Sequence, residues 1–167
     1  MANYWVIFQA FRLIGVFLAL FSASTSIANV NSIEFRFSLL SALSKNIEVI
    51  EFYEENEFKP IWVGGERSAR ERRSYFFKEL ENTSKHALPN LRTDADYLKN
   101  QLRQARTATE LGLIEALTTL KFLDYSSSLQ TGILKPASVD KEIVRKVPYR
   151  SKGAYLKTFL LVKPREF

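Results

Sequence analysis

Thr107-Ala108-Thr109-Glu110-Leu111-Gly112-Leu113-Ile114-Glu115-Ala116-Leu117-Thr118-Thr119-Leu120-Lys121-Phe122-Leu123-Asp124-Tyr125 is the stretch that decides the fold. Thr107 followed three residues later by Glu110 forms a capping box, the signature of a helix start. Beyond it Leu111, Leu113, Ile114, Leu117, Leu120, Phe122, Leu123, Tyr125 and Leu129 recur at helical spacing on more than one face. A helix from about Ala108 to Gln130 that is apolar on several sides must be buried on several sides, which makes it the central element. Thr131-Gly132 stops it, and Leu134 and Pro136 follow.

The rest of the chain arranges itself around that helix. Upstream, Leu39, Leu40, Leu43, Ile47, Ile50 and Phe52 or Tyr53 fit a helical face running from Ile33 to about Glu57. Phe58-Lys59-Pro60-Ile61-Trp62-Val63-Gly64-Gly65 breaks it, because Pro60 biases Lys59 away from helix and Gly64-Gly65 signals a turn. Ser68 with Glu71 predicts a second capping box and a helix from Ala69 to Lys85, with Phe76, Phe77 and Leu80 inward. His86-Ala87-Leu88-Pro89-Asn90 closes it, and a third helix runs from Thr93 to Arg106 with Tyr97, Leu98, Leu102 and Ala105. A weaker helix is expected over Ser138 to Arg145, then a break at Pro148 and a last helix near Ser151 to Val162. Strand alternation is nearly absent. The expectation is an all-α, single compact domain of five to six helices.

Residues 1–28 read as an address label. They hold no acid and one basic residue, Arg12, ahead of the apolar run Leu13–Phe21. Ser26 and Ala28 then stand three and one residues before Asn29, the small-x-small pattern of a cleaved secretory signal. The alternative is an uncleaved membrane anchor, although Gln9 and Arg12 interrupt the longer apolar stretch, and a span needs about 20 apolar residues. Cleavage leaves 139 residues and lowers the net charge from +6 to +5 by removing Arg12. The mature chain divides into an amino-terminal helical extension, 29–47, and a helical domain, 48–162. Localisation is expected to be periplasmic or secreted, with a bacterial origin, since an exported small domain without cysteine suits a periplasm.

Composition removes most enzyme classes. Among 167 residues there is no Cys and one His, so thiolate zinc sites, iron–sulfur clusters, cysteine nucleophiles and His-rich metal sites are absent. His86 stands at a helix end, where a surface ring or a favourable positive charge is the simplest reading. Glu51, Glu54, Glu55 and Glu57 could supply paired carboxylates for glycoside hydrolysis. Nothing in the sequence sets them opposite a second carboxylate, and they read as a solvated helix face. Arg67, Arg70, Arg72 and Arg73 are the densest basic stretch and a candidate patch for an anionic surface. Glu66, Glu71 and Glu79 interrupt it, and export takes the chain away from most nucleic acid. No phosphate-loop, dinucleotide, metalloprotease or serine-elbow motif occurs. No catalytic residue, metal or cofactor is expected.

The most distinctive string is Tyr53-Glu54-Glu55-Asn56-Glu57-Phe58-Lys59-Pro60-Ile61-Trp62-Val63. It resembles the opening of the helical scaffold domain of bacterial murein L,D-transpeptidases, whose pattern runs roughly Y-x-x-R-x-F-x-P-x-W. His86-Ala87-Leu88-Pro89 and Asp96-Tyr97 follow in the order that this family uses. So do the helix Glu110–Tyr125 and the ending Leu129, Gly132, Leu134, Pro136. The motif residues are thus Tyr53, Phe58, Pro60, Trp62, Tyr125, Gly132 and Pro136. Asn56 departs from the usual Arg, and Ala87 from the usual Gly, which accepts a left-handed helix cap cheaply.

The resemblance implies a scaffold without its catalyst. The transpeptidase domain of that family uses a cysteine thiolate to form the acyl-enzyme, and this chain has no cysteine. A non-catalytic scaffold or interaction domain linked to cell-wall cross-linking is therefore expected, as a truncated or stand-alone remnant. Its partner would be a cell-envelope protein or peptidoglycan, with membrane contact only through an uncleaved leader. The buried face should involve Tyr53, Phe58, Pro60, Trp62, Leu117, Leu120, Tyr125 and Leu134. The competing expectation is a secreted helical binding protein of effector type, acting on a partner outside the cell.

Overall fold

A computed structural model describes residues 32–132 and 150–161. The expected signal at 1–28, the weak helix at 138–145, and Leu134 and Pro136 lie outside the described residues. Among the described residues there are six α-helices, one short 3-10 turn and no strand. The all-α expectation holds. They are α1 (Ile33–Leu43), α2 (Ile47–Glu55), α3 (Arg67–Glu81), the 3-10 turn Thr83–His86, α4 (Arg92–Gln104), α5 (Ala108–Thr131) and α6 (Lys152–Leu161). No helix among the described residues is long and apolar enough to cross a membrane.

α5 is the axis, as its sequence predicts. The Thr107 hydroxyl accepts from the Glu110 N–H at 3.2 Å, and the Glu110 carboxylate accepts from the Thr107 N–H at 2.9 Å, which completes the capping box. α1 makes the most extensive packing against α5, with α4 and α6 on its other sides. α2 also packs on α6, and α3 on α4. The α1–α5 contact is close because Gly112 permits it. A Cβ there would lie 2.4 Å from the Phe35 carbonyl oxygen and 3.0 Å from the Ser38 Cβ. The Ser38 hydroxyl donates to the Thr109 carbonyl at 2.8 Å across the same seam.

Three local expectations are corrected. The helix expected over 33–57 is two helices, broken at Ser44-Lys45-Asn46. α1 buries Phe35, Leu39 and Leu43 at intervals of four, but α2 buries Val49, Phe52 and Tyr53. A continuous face would bury Ile47, which is 68% exposed. The apolar phase therefore changes between Leu43 and Val49, and a break is how one chain presents both faces inward. The expected Ser68–Glu71 capping box does not form: α3 starts at Arg67 after Glu66, with no side-chain cap. Glu71 instead accepts from Arg67, one turn earlier, at 2.7 Å. α3 also stops at Glu81 rather than Lys85, because the 3-10 turn and Thr83 take over. The Thr83 hydroxyl donates to the Pro89 carbonyl at 2.7 Å and accepts from the Leu91 N–H at 3.3 Å. Asn90 then starts α4 through its side-chain oxygen on the Arg92 N–H, 2.9 Å away.

Candidate functional site

The segment between α2 and α3 is the least regular part of the described chain, and it is held most elaborately. α2 ends at Glu55 with Asn56 as its C-cap, and Glu57 and Phe58 both take left-handed backbone, with φ of 55° and 57°. That conformation is unfavourable for residues other than glycine. It is compensated by the Phe58 N–H, which donates five residues back to the Tyr53 carbonyl at 2.8 Å, and by the Lys59 N–H on Asn56 at 3.0 Å. Pro60 follows, half-buried, and Ile61, Trp62 and Val63 turn inward with no neighbouring strand to take their amides.

Glu115 takes them. Its carboxylate is fully buried in the middle of α5. Oε1 accepts from the Ile61 N–H at 2.6 Å, and Oε2 from the Trp62 and Val63 N–H groups, both at 3.0 Å. The Tyr53 hydroxyl donates to Oε1 at 2.8 Å. One turn along α5, the Thr119 hydroxyl lies 2.7 Å from the Tyr53 oxygen and accepts from Trp62 Nε1 at 2.9 Å. Two α5 side chains four residues apart thus fasten α2 and the whole 61–63 strip. Every buried side-chain nitrogen and oxygen among the described residues has a partner. A carboxylate removed from water costs several kcal/mol unless such donors replace the water. Here burial still outweighs the donors and holds the Glu115 carboxyl above the usual carboxylate range. Burial, followed by the Glu115 charge, likewise pushes the Tyr53 phenol well above its ordinary value.

The outer side of the strip is held by α3. Arg72 Nε donates to the Ile61 carbonyl at 3.1 Å, and Arg73 Nη1 donates to the Trp62 and Gly64 carbonyls at 2.6 and 3.1 Å. Both guanidinium groups are half-buried, and burial lowers their pKa while the Glu115 charge opposes that shift. Arg70 donates to the Gly65 carbonyl, and Arg67 pairs with Glu71 on the surface. The basic stretch seen in the sequence therefore has structural partners at all four positions. Two of its arginines, Arg72 and Arg73, bind the carbonyl side of the same strip whose amides bind Glu115, and Arg70 holds the turn just beyond it.

Above this lock lies an aromatic cluster. The Trp62 ring stands 5.2–5.6 Å from those of Phe76, Phe122 and Phe159, and Tyr125 stands 6.1 Å from Phe76. Tyr53, Trp62 and Tyr125 are buried, whereas Phe58 and Pro60 are half-buried, with Arg36 stacked 5.1 Å over the Phe58 ring. Leu117 and Leu120 pack partly buried against the core. Gly132 caps α5 with φ 76°, a left-handed position that suits glycine. Ala87, the departure noted above, is itself left-handed, at φ 54°.

The remaining candidates are dispersed. His86 lies 3.5 Å from Glu79 on the surface. Glu55 pairs with Lys157 at 2.6 Å and Glu57 with Lys59 at 2.7 Å, while Glu51 and Glu54 are exposed. Among the described residues no group of three His, Cys, Asp or Glu could hold a metal ion. Sequence reasoning missed Glu115 and Thr119. The available signal was a carboxylate and a hydroxyl four residues apart inside an otherwise apolar helix.

A groove opens beside the aromatic cluster, between α3, α5 and α6, with a volume of about 580 Å³. Phe76, Phe122 and Tyr125 form its base, and Leu129, Tyr155 and Phe159 its sides.

No curated protein and no solved structure matches the chain. A family model described as "Scaffold domain" matches residues 48–164, which runs from α2 through α6 and takes in the 61–63 strip, its arginine clamps and Glu115. With most of its length matched, the chain belongs to the Scaffold domain family.

Proposed function

We propose that the protein is an exported, non-catalytic scaffold or interaction domain of the bacterial cell envelope. It is of the kind that accompanies peptidoglycan L,D-transpeptidases, and it serves cell-wall cross-linking by holding a cell-envelope protein or peptidoglycan. The observation that carries this reading is the Scaffold-domain match over residues 48–164. The Tyr53–Trp62 string, whose resemblance to the transpeptidase scaffold is the most specific in the sequence, falls inside that span. Two chemical facts support a role without catalysis. The sequence has no cysteine for a thiolate acyl-enzyme. Glu115, the one fully buried carboxylate among the described residues, has both oxygens engaged by amides and a phenol of the scaffold itself. The leader with Ser26 and Ala28 before Asn29 supports export.

The test is to express the full chain in a bacterium, fractionate the cells, sequence the amino terminus and sediment the protein with purified sacculi. The expected result is a chain beginning at Asn29 in the periplasmic fraction that pellets with sacculi or with a cell-envelope protein. A chain that keeps Met1 in the cytosol overturns export. A processed chain recovered in the medium, bound to neither, overturns the cell-wall role and favours a secreted effector-type binding protein.

A further inference from the structure

We propose that the groove between α3, α5 and α6 docks an acidic peptide segment that carries an aromatic or branched aliphatic side chain. The proposal names a partner chemistry for the interaction domain above and rests on that reading. The groove's 580 Å³ falls within the range of about 300–1,000 Å³ typical of ligand sites, and it accommodates one or two large side chains. Its base is the face of the aromatic cluster already described, and rings in such a setting attract apolar and aromatic side chains. Tyr75 and Leu129, 39% and 46% exposed, leave apolar surface at the mouth.

The charge at the rim selects the partner. Lys78 and Arg150 line the groove, and neither side chain has a carboxylate partner among the described residues. Arg72 adds a third cation, half-buried at the inner edge. Against these three cations the lining holds one carboxylate, Glu79, 3.5 Å from the His86 ring, so the rim is positive on balance. A segment bearing Asp or Glu beside its apolar anchor complements this arrangement, while a basic segment is repelled. A saccharide fits less well. Apart from the tyrosine hydroxyls and the His86 ring, Ser126 and Thr158 are the only uncharged polar side chains of the lining, too few for a hydroxyl-rich chain.

The experiment is selection of a random displayed peptide library on the purified full chain. Anisotropy titration of the strongest peptide follows, against wild type, Leu129→Glu and Lys78→Glu/Arg150→Glu. Enriched peptides should place Phe, Trp, Leu or Ile next to Asp or Glu. Each variant should weaken binding by about tenfold or more, as expected for anchor and desolvated charge contacts. Affinity should also fall as salt rises. Because all three side chains sit at the mouth or rim, circular dichroism and the unfolding midpoint should remain those of wild type. The proposal is overturned by no enrichment, by basic or purely apolar winners, or by variants that bind like wild type. Displacement of the peptide by soluble peptidoglycan fragments overturns it in favour of a glycan site. A dimer in sedimentation that Leu129→Glu dissolves overturns it in favour of a second copy. None of these readouts depends on the sacculus experiment, so the two can fail separately.

Discussion

Glu115 and Trp62 are 53 residues apart in sequence, and the Glu115 carboxylate accepts the Trp62 backbone N–H at 3.0 Å. With the Ile61 and Val63 amides on the same carboxylate, three consecutive backbone donors of an irregular segment are satisfied from one point. Thr119 extends the arrangement to the Trp62 indole, so backbone and side chain of one residue are fixed by two residues of α5.

Glu115→Gln preserves the shape but turns one acceptor into an NH2 that faces backbone N–H groups. Leaving buried donors unpaired should destabilise the fold by about 3 kcal/mol. Urea unfolding should show a lower midpoint with an unchanged slope. A loss below about 1 kcal/mol, the ordinary net value of a hydrogen bond, would mean that the carboxylate is not what holds the strip.

Gly112→Ala should act on a different seam. The added methyl meets the Phe35 carbonyl oxygen at 2.4 Å, and a backbone oxygen within a helix cannot rotate aside. Overpacking of this kind costs about 1–3 kcal/mol. Hydrogen exchange should speed up through α1 first, whereas Gly65→Ala, with nothing within 4 Å of its added Cβ, serves as the unperturbed control.

Ala87→Gly should stabilise the protein. Ala87 sits at φ 54°, and a Cβ in left-handed backbone costs about 1 kcal/mol or more that glycine does not incur. A thermal midpoint that rises by a few degrees is the expected result. A fall would show that the Ala87 methyl makes packing worth more than the strain.

Glu115 and Glu110 should titrate on opposite sides of the ordinary glutamate value. Burial raises the first, while backbone N–H donors from Arg106 and Thr107 lower the second. The signs for stability are also opposite. Glu115 holds its proton more tightly folded than unfolded, so its contribution grows as pH falls through its folded pKa and levels off below the unfolded one. Glu110 contributes above its unfolded pKa and loses that contribution as pH falls through its folded pKa. Side-chain carboxyl NMR shifts followed across acid pH give both midpoints, and a Glu115 midpoint below that of Glu110 would refute the assignment.

Much of the fold was legible because apolar periodicity and caps are local signals. The Thr107–Glu110 box and the many-sided face of α5 pointed to a central helix, and the structure has one. The break between α1 and α2 was not legible in the same way. Ile47 continues the sequence period, and only packing of α1 against α5 and of α2 against α6 decides that Val49 turns inward instead. Ser68 and Glu71 have the right spacing for a cap, but Arg67 offers Glu71 a nearer partner one turn away. Glu115 was hidden for a deeper reason. Its donors lie more than fifty residues away in a segment with no regular structure, and no local pattern announces where unpaired amides will be brought. Within the arginine run, Arg67 and Arg70 are exposed, whereas Arg72 and Arg73 reach back to carbonyls nine to eleven residues earlier, which no local pattern announces.

Backbone amide hydrogen exchange at Ile61, Trp62 and Val63, measured residue by residue in wild type and in Glu115→Gln, tests the lock most directly. The three amides should be protected in wild type to nearly the level of the α5 core and should lose that protection together in the variant. Exchange in wild type at the rate of an open loop, or protection that survives Glu115→Gln unchanged, would contradict it.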